Sequence, residues 1–381
     1  MIRFLFKYAA ALFILNTILL SIEVTMRIGN LIFLGLMALY TLVLLINPNQ
    51  IRKIIFHRSF SFLLIINTLN IVYFLLFHSI NDIEALKYLL ARAVQFSIIS
   101  ASIYFHLDYY KTKFLDHIIY LTLFIISISL ILNPNIFTGR YSGIIWNPNM
   151  LSSLVTIAFA ILFLKDKSYD KVNIFLLILF LAISLATGSR GSLVGIMLVF
   201  LFKYNFSRRN VLYSILAITS IFIISNFQLS TSINRFSDQS LFNDRILQYE
   251  YAFESIFNKL YTGYGLDKYS YIDKSLVPVF LKGKIIGAHN AYLAILTQYG
   301  IVFGGLILSI IFQKSYSVIL FFRNLSGNEK VYLFIIIYTL IASVYETLIT
   351  GINEFQTSLF WFALSLLSYS KYKIEHANQD I

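Results

Sequence analysis

Three arginines and one histidine stand where hydrophobic patterning gives no reason for them. Arg140 lies in Gly139-Arg140-Tyr141-Ser142-Gly143, and Arg190 in the tight turn Thr187-Gly188-Ser189-Arg190-Gly191-Ser192 between two apolar runs. Arg245 falls near the start of an amphipathic stretch, and His289 opens an apolar run in Ala288-His289-Asn290-Ala291-Tyr292. A guanidinium is a planar, permanently charged fork that meets phosphate oxygens two at a time. Imidazole titrates close to neutrality and can take a proton from an attacking hydroxyl. Several such forks around one imidazole make an anion site with a base beside it. The ligand that suits it is a diphosphate carried on a membrane lipid.

Each residue also has a plainer reading. An arginine at the end of an apolar run anchors at lipid headgroups, and a lone histidine there is an interface residue. Asn147-Pro148-Asn149 is a good helix start, with Asn at the cap and Pro in the first turn. Arg92 lies deep in an apolar run, where an ionisable group is a functional candidate by default; pairing with Glu84 is its bland alternative. Glu346 and Glu354 read as partners for these cations. The plain readings weaken because the set gathers on one side of the membrane.

That side follows from the elements that must carry the residues. The chain has 381 residues, 58% hydrophobic and 13% charged, against about 25% charged in a typical globular domain. This excludes a cytosolic globular protein and a disordered chain. The net charge of +12 is topogenic and needs no nucleic acid. With no cysteine there is no disulfide framework, thiolate metal site or cysteine nucleophile. The expected fold is an all-α polytopic membrane protein of about 12 transmembrane helices, each needing about 20 apolar residues. The expected spans are 8–24, 28–46, 59–78, 85–106, 115–133, 149–165, 172–188, 191–205, 211–228, 290–313, 330–350 and 354–370. The first is expected to be retained, because no small-residue cleavage site follows it. No proline interrupts any span, so the chain shows no proline evidence for the broken helices that transporters often carry.

Positive charge marks the cytoplasmic segments. Arg3, Lys7, Arg52, Lys53, Arg58, Lys111, Lys113, Lys165, Lys167, Lys171, Lys203, Arg208, Arg209, Lys314, Arg323, Lys330, Lys371 and Lys373 fall in one alternate set. Only Arg27, Arg140 and Arg190 fall in the short segments opposite. Both termini are therefore expected to be cytoplasmic, with the candidate site on the outer face. Three regions result: 1–228 with nine spans, 229–288 as a large outer loop capping the site, and 289–381 with three spans and a short tail. In the loop, Phe242, Ile246, Tyr249, Phe253, Ile256 and Phe257 recur at spacings of three and four. That predicts an amphipathic helix on the bundle or along the interface, with Asn243 as its N-cap and Arg245 in its first turn. Gly263-Tyr264-Gly265 reads as a turn.

These residues resemble the bacterial O-antigen ligase and O-antigen polymerase superfamily. The resemblance is carried by Gly143-Ile144-Ile145-Trp146-Asn147-Pro148-Asn149, Thr187-Gly188-Ser189-Arg190-Gly191, Asn243-Asp244-Arg245 with Gly263-Tyr264-Gly265, and His289-Asn290 leading to Gly300-Ile301-Val302-Phe303-Gly304-Gly305-Leu306. It covers roughly residues 135–310. It implies a GT-C-like glycosyltransferase of the bacterial inner membrane, acting at the periplasmic face on a glycan linked to undecaprenyl diphosphate. It further implies that Arg190 and Arg245 hold the diphosphate and that His289 assists the acceptor hydroxyl. Arg140, Arg92, Asn147, Asn149, Asn290 and Tyr264 are the expected further substrate contacts. No cofactor or metal is expected, since the six histidines (57, 78, 106, 117, 289 and 376) are scattered. Chain-length regulator and flippase proteins are the expected partners, besides the lipid-linked oligosaccharide and the bilayer. The favoured activity is polymerisation of lipid-linked repeat units. The alternatives are ligation of finished O-antigen to lipid A core, a lipid-linked oligosaccharide flippase, and a scaffold that would not need His289.

Overall fold

The protein is described as a computed structural model covering residues 2–136, 139–165, 170–204, 207–225, 240–283, 285, 287–323 and 327–377. Its helices are α1 Ile2–Leu5, α2 Ala9–Leu19, α3 Met26–Ile46, α4 Pro48–Ile55, α5 Ser61–Phe77, α6 Ile83–Leu132 and α7 Pro148–Leu164. They continue with α8 Lys171–Ala186, α9 Arg190–Tyr204, α10 Arg208–Ser225, α11 Ser240–Asn258, α12 Ala291–Phe322, α13 Asn328–Ala342 and α14 Phe355–Ala377. Among the described residues the only β-type pairing is an isolated bridge between Ile22 and Ile145.

Among the described residues, four helical segments are long and apolar enough to cross a bilayer: Met26–Ile46, Arg58–Phe77, Ile83–Leu132 and Ala291–Phe322. α7 and α8 are apolar but shorter, at 17 and 16 residues. This is the architecture of a helical membrane protein. Several expected boundaries move. The spans expected at 85–106 and 115–133 are two helical stretches that meet at a kink at His106 (φ −136°, ψ 40°), within α6. The span expected at 8–24 shrinks to the 11 residues of α2, a rise of about 17 Å. There Asn16 Nδ2 donates to Gly29 O at 2.9 Å, tying α2 to the start of α3. The span expected at 330–350 ends at Ala342, and the apolar residues beyond it belong to a folded-back loop.

α14 is the axis of the bundle. Every residue from Phe355 to Ser370 is buried, which accounts for the serines, threonines and glutamine in so apolar a helix. Several of them bond to neighbouring segments. Ser368 Oγ donates to Ser59 O at 2.7 Å, and Ser358 Oγ accepts from Gln95 Nε2 at 3.2 Å.

α12 is broken, by glycine rather than by proline. Gly300 has φ 71° and ψ 174°, a region that is almost exclusively glycine's. The break strips carbonyls of their helical donors, and the turn after α11 replaces those donors. Tyr264 N donates to Thr297 O and Gly265 N to Gln298 O, both at 3.0 Å, while Ile301 N donates to Leu260 O at 2.7 Å. Tyr73 Oη adds a bond to Gln298 O at 2.9 Å. Gly263 and Gly265 both take positive φ here. A Cβ on Gly300 would lie 2.6 Å from Tyr261 O. Gly300→Ala is therefore expected to cost about 1–3 kcal/mol from the backbone alone and to loosen the cap. A lower melting temperature and faster proteolysis within 259–285 would register it; unchanged melting would show that the break does not depend on glycine.

The expected amphipathic helix exists as α11, with its inward face shifted: of the expected face, Ile256 and Tyr249 pack inward, and the rest of the inward side is different. It begins at Ser240, so Asn243 lies inside it and Arg245 in its second turn. Gln248, Ala252, Ser255 and Ile256 are buried, whereas Ile246, Phe253 and Phe257 are exposed. The small residues permit close approach to the body, and the larger apolar side chains are left on the outside. Ala252 and Ile256 join Ile272, Val277, Ile285, Ala288, Leu293 and Ala294 in a small second core, which runs from the cap into the first turns of α12.

Candidate functional site

At the end of the bundle where α7, α9 and α12 begin and α13 ends, Glu346 is the shared partner of the candidate residues. Its Oε1 accepts from Asn149 Nδ2 at 2.9 Å and from Arg245 NH2 at 3.3 Å. Its Oε2 lies 3.6 Å from His289 Nδ1. Asn149 Oδ1 in turn accepts from Arg140 NH2 at 2.5 Å, and Arg140 Nε donates to Thr187 O at 3.2 Å. One connected network therefore runs from the Arg190 turn through Arg140 and Asn149 to Glu346, Arg245 and His289. The 3.6 Å separation exceeds a good hydrogen bond.

Local structure fixes each member. Asn147 caps α7 by accepting from Asn149 N at 2.9 Å, with Pro148 at the first helical position. Asn290 caps α12, accepting from Tyr292 N and Leu293 N, while its Nδ2 donates to Val344 O at 2.9 Å. Ala291 N donates to Ser343 O at 2.8 Å, and Tyr249 Oη of α11 donates to Val344 O at 2.7 Å. The two residues before Tyr345 thus receive both the start of α12 and the cap helix. His289 has φ 42°, a left-handed backbone that its side chain tolerates better than most. Just upstream, Ala288 N donates to Ser270 O at 3.2 Å, and a Cβ on Gly287 would meet Ser270 Oγ at 2.7 Å. The Arg190 turn uses Gly188 at φ 60°. A Cβ on Gly191 would sit 3.3 Å from the Tyr345 ring, so this turn packs directly on the residue preceding Glu346.

Beside the network opens a cleft of about 630 Å³ whose lining includes Trp146, Asn147, Asn149, His289, Glu346 and Glu354. Arg92 lies behind the wall rather than in it. It is 3% exposed, donates to Thr350 O and Gly351 O, bonds Gln95 Oε1 at 2.9 Å, and faces the rings of Tyr88 and Phe96. It therefore braces the loop that carries Glu346 and Glu354. Tyr264 is also apart from the cleft, its hydroxyl donating to Asp273 at 2.8 Å and its ring under Lys259. Glu354, Gln356 and Thr350 were not singled out as substrate contacts from sequence. Their signal was slight: polar residues clustered between two apolar runs.

A helical bundle thus collects Arg140, Arg245, His289 and Glu346 at one end, beneath the cap helix. Residues 175–309 match the family model described as O-antigen ligase. The match supports membership of the O-antigen ligase and polymerase superfamily and indicates a glycosyltransferase-like ligase or polymerase. No curated protein matches the chain. Arg190, Arg245 and His289 lie inside the matched segment, while Arg140, Asn149, Glu346 and Glu354 lie outside it.

Proposed function

We propose that the protein is a surface-polysaccharide polymerase of the bacterial inner membrane, acting at its periplasmic face on a glycan carried by undecaprenyl diphosphate. The observation that carries the reading is the shared carboxylate: Arg245 and His289, from separate elements, meet at Glu346. Arg245 NH1 is moreover buried with no acceptor among the described residues. A buried donor left unmet costs about 1–3 kcal/mol or more, and a phosphate oxygen is an acceptor that a guanidinium fits well.

In this reading an acceptor hydroxyl attacks the anomeric carbon opposite the diphosphate. The new carbon–oxygen bond forms as the bond to the diphosphate oxygen breaks, and its electron pair leaves with the diphosphate. Arg245, with Arg190 from the turn packed on Tyr345, offsets the charge gathering there. The hydroxyl proton passes to His289. Glu346 beside Nδ1 favours the tautomer protonated at that nitrogen, leaving Nε2 to receive the proton. A single displacement inverts the anomeric configuration.

The description of the matched family favours a second reading, ligation of the glycan to lipid A core. Reconstitution with a purified undecaprenyl-diphosphate-linked repeat unit separates the two. Chain growth without core lipopolysaccharide supports the polymerase, transfer only to added core supports the ligase, and no transfer in either arm removes both.

A further inference from the structure

The cleft differs in chemistry from the arginines beside it. Among the described residues no Lys or Arg lines it. Two of its lining side chains carry buried oxygens without a partner: Gln356 Oε1, on a residue 2% exposed, and Thr350 Oγ1. Gln356 Nε2 is already committed to Thr339 Oγ1 at 3.3 Å, so its amide is oriented with the oxygen unmet. Glu346 and Glu354 add carboxylates to the same wall. The unmet capacity is thus mainly for accepting hydrogen bonds, and the ligand that fills it must bring hydrogens. An ionised phosphate brings only acceptors and would face two carboxylates. A carbohydrate supplies hydroxyl donors around its rim and a C–H face to lie on a ring. Trp146 offers that ring at the mouth, 61% exposed. Its position is fixed because Trp146 N donates to Ser21 O at 3.1 Å and Asn147 next to it caps α7.

We infer that this cleft is the acceptor-sugar subsite: a neutral or amino sugar stacks on Trp146, donates hydroxyls to Glu354, Gln356 and Thr350, and turns its attacking hydroxyl toward His289. Uronic acids and phosphorylated sugars are excluded by the carboxylates and by the lack of a cation in the wall. The inference rests on the transfer reading above, and it divides the site into a cationic donor side and a hydrogen-accepting acceptor side.

Trp146 makes the test direct, because the chain's other tryptophan, Trp361, is 3% exposed. Full-length protein in lipid nanodiscs is titrated with the methyl glycosides of glucose, galactose, N-acetylglucosamine, glucosamine and glucuronic acid while tryptophan emission is followed. Saturable changes are expected with neutral or amino glycosides, a response at least about 10-fold weaker with the glucuronide, and none with any glycoside in Trp146→Phe. Glu354→Gln, which keeps an acceptor for Thr357, is expected to weaken binding about 10-fold through loss of a charge-assisted hydrogen bond. In turnover it is expected to raise the acceptor KM and leave the donor KM unchanged. A flat titration with every glycoside, equal binding of the glucuronide, or a signal that survives in Trp146→Phe overturns the subsite. If the wild type transfers glycan while the titrations stay flat, the subsite fails and the transfer reading stands. Saturable binding without any transfer from the prenyl-linked donor does the reverse.

Discussion

Glycan transfer by His289→Asn falls by about 10²–10⁴-fold, the range that a positioned general base contributes, while the protein assembles at wild-type levels. Asparagine is the informative replacement here because residue 289 holds φ 42°. It is one of the few side chains that adopt this backbone readily, and it can still donate a hydrogen bond to Glu346. What it cannot do is accept the acceptor's proton. His289→Ala loses the same activity but carries some backbone strain in addition, so its melting temperature drops where that of His289→Asn does not. Turnover with purified lipid-linked repeat unit, measured beside thermal unfolding of both variants, checks this. Activity within a few-fold of wild type in His289→Asn would remove the imidazole from the chemistry.

Arg245→Ala is expected to lower kcat by about 10²–10³-fold, the loss seen when one preorganised charge-stabilising group is removed. Arg245→Lys is expected to fall between, since an ammonium keeps the charge and gives up the two-pronged geometry. The substitution also frees Glu346 from its salt bridge, leaving it with Asn149 and His289. Expression and melting should change little, because the guanidinium joins two elements that Tyr249 and Asn290 already hold at Val344. Equal loss in the Lys and Ala variants would mean that charge alone is not what the position supplies. Retained activity in both would take the diphosphate away from Arg245.

The gathering of these groups was readable because local signals and topology coincided. Arg190 sits in a glycine turn, Asn147 and Pro148 form a helix start, and Gly263-Tyr264-Gly265 bends as its glycines suggest. Each feature is decided within a few residues. Features decided by packing were misread. The inward face of α11 is set by how closely Ala252 and Ser255 approach the body, so counting large apolar residues selected Ile246, Phe253 and Phe257, which are exposed. α13 stops at Ala342 although the apolar run continues, and Arg92, more than 250 positions earlier, holds the carbonyls of Thr350 and Gly351 in the loop beyond it. Gly300 gave no sign of a break, since a glycine inside an apolar run is equally compatible with a continuous helix. Glu346 was anticipated only as a partner for cations. That it serves Arg245, His289 and Asn149 together is visible only once three distant segments are folded side by side.

The way the cap is fastened has a practical corollary. Its grip on the interrupted helix consists largely of main-chain amides meeting main-chain carbonyls, with Gly263, Gly265 and Gly300 supplying the clearance. Such a joint is indifferent to most of the side chains around it. Lid segments of other sequence should therefore graft onto this scaffold, provided those three glycines are kept and the main-chain partners stay in register.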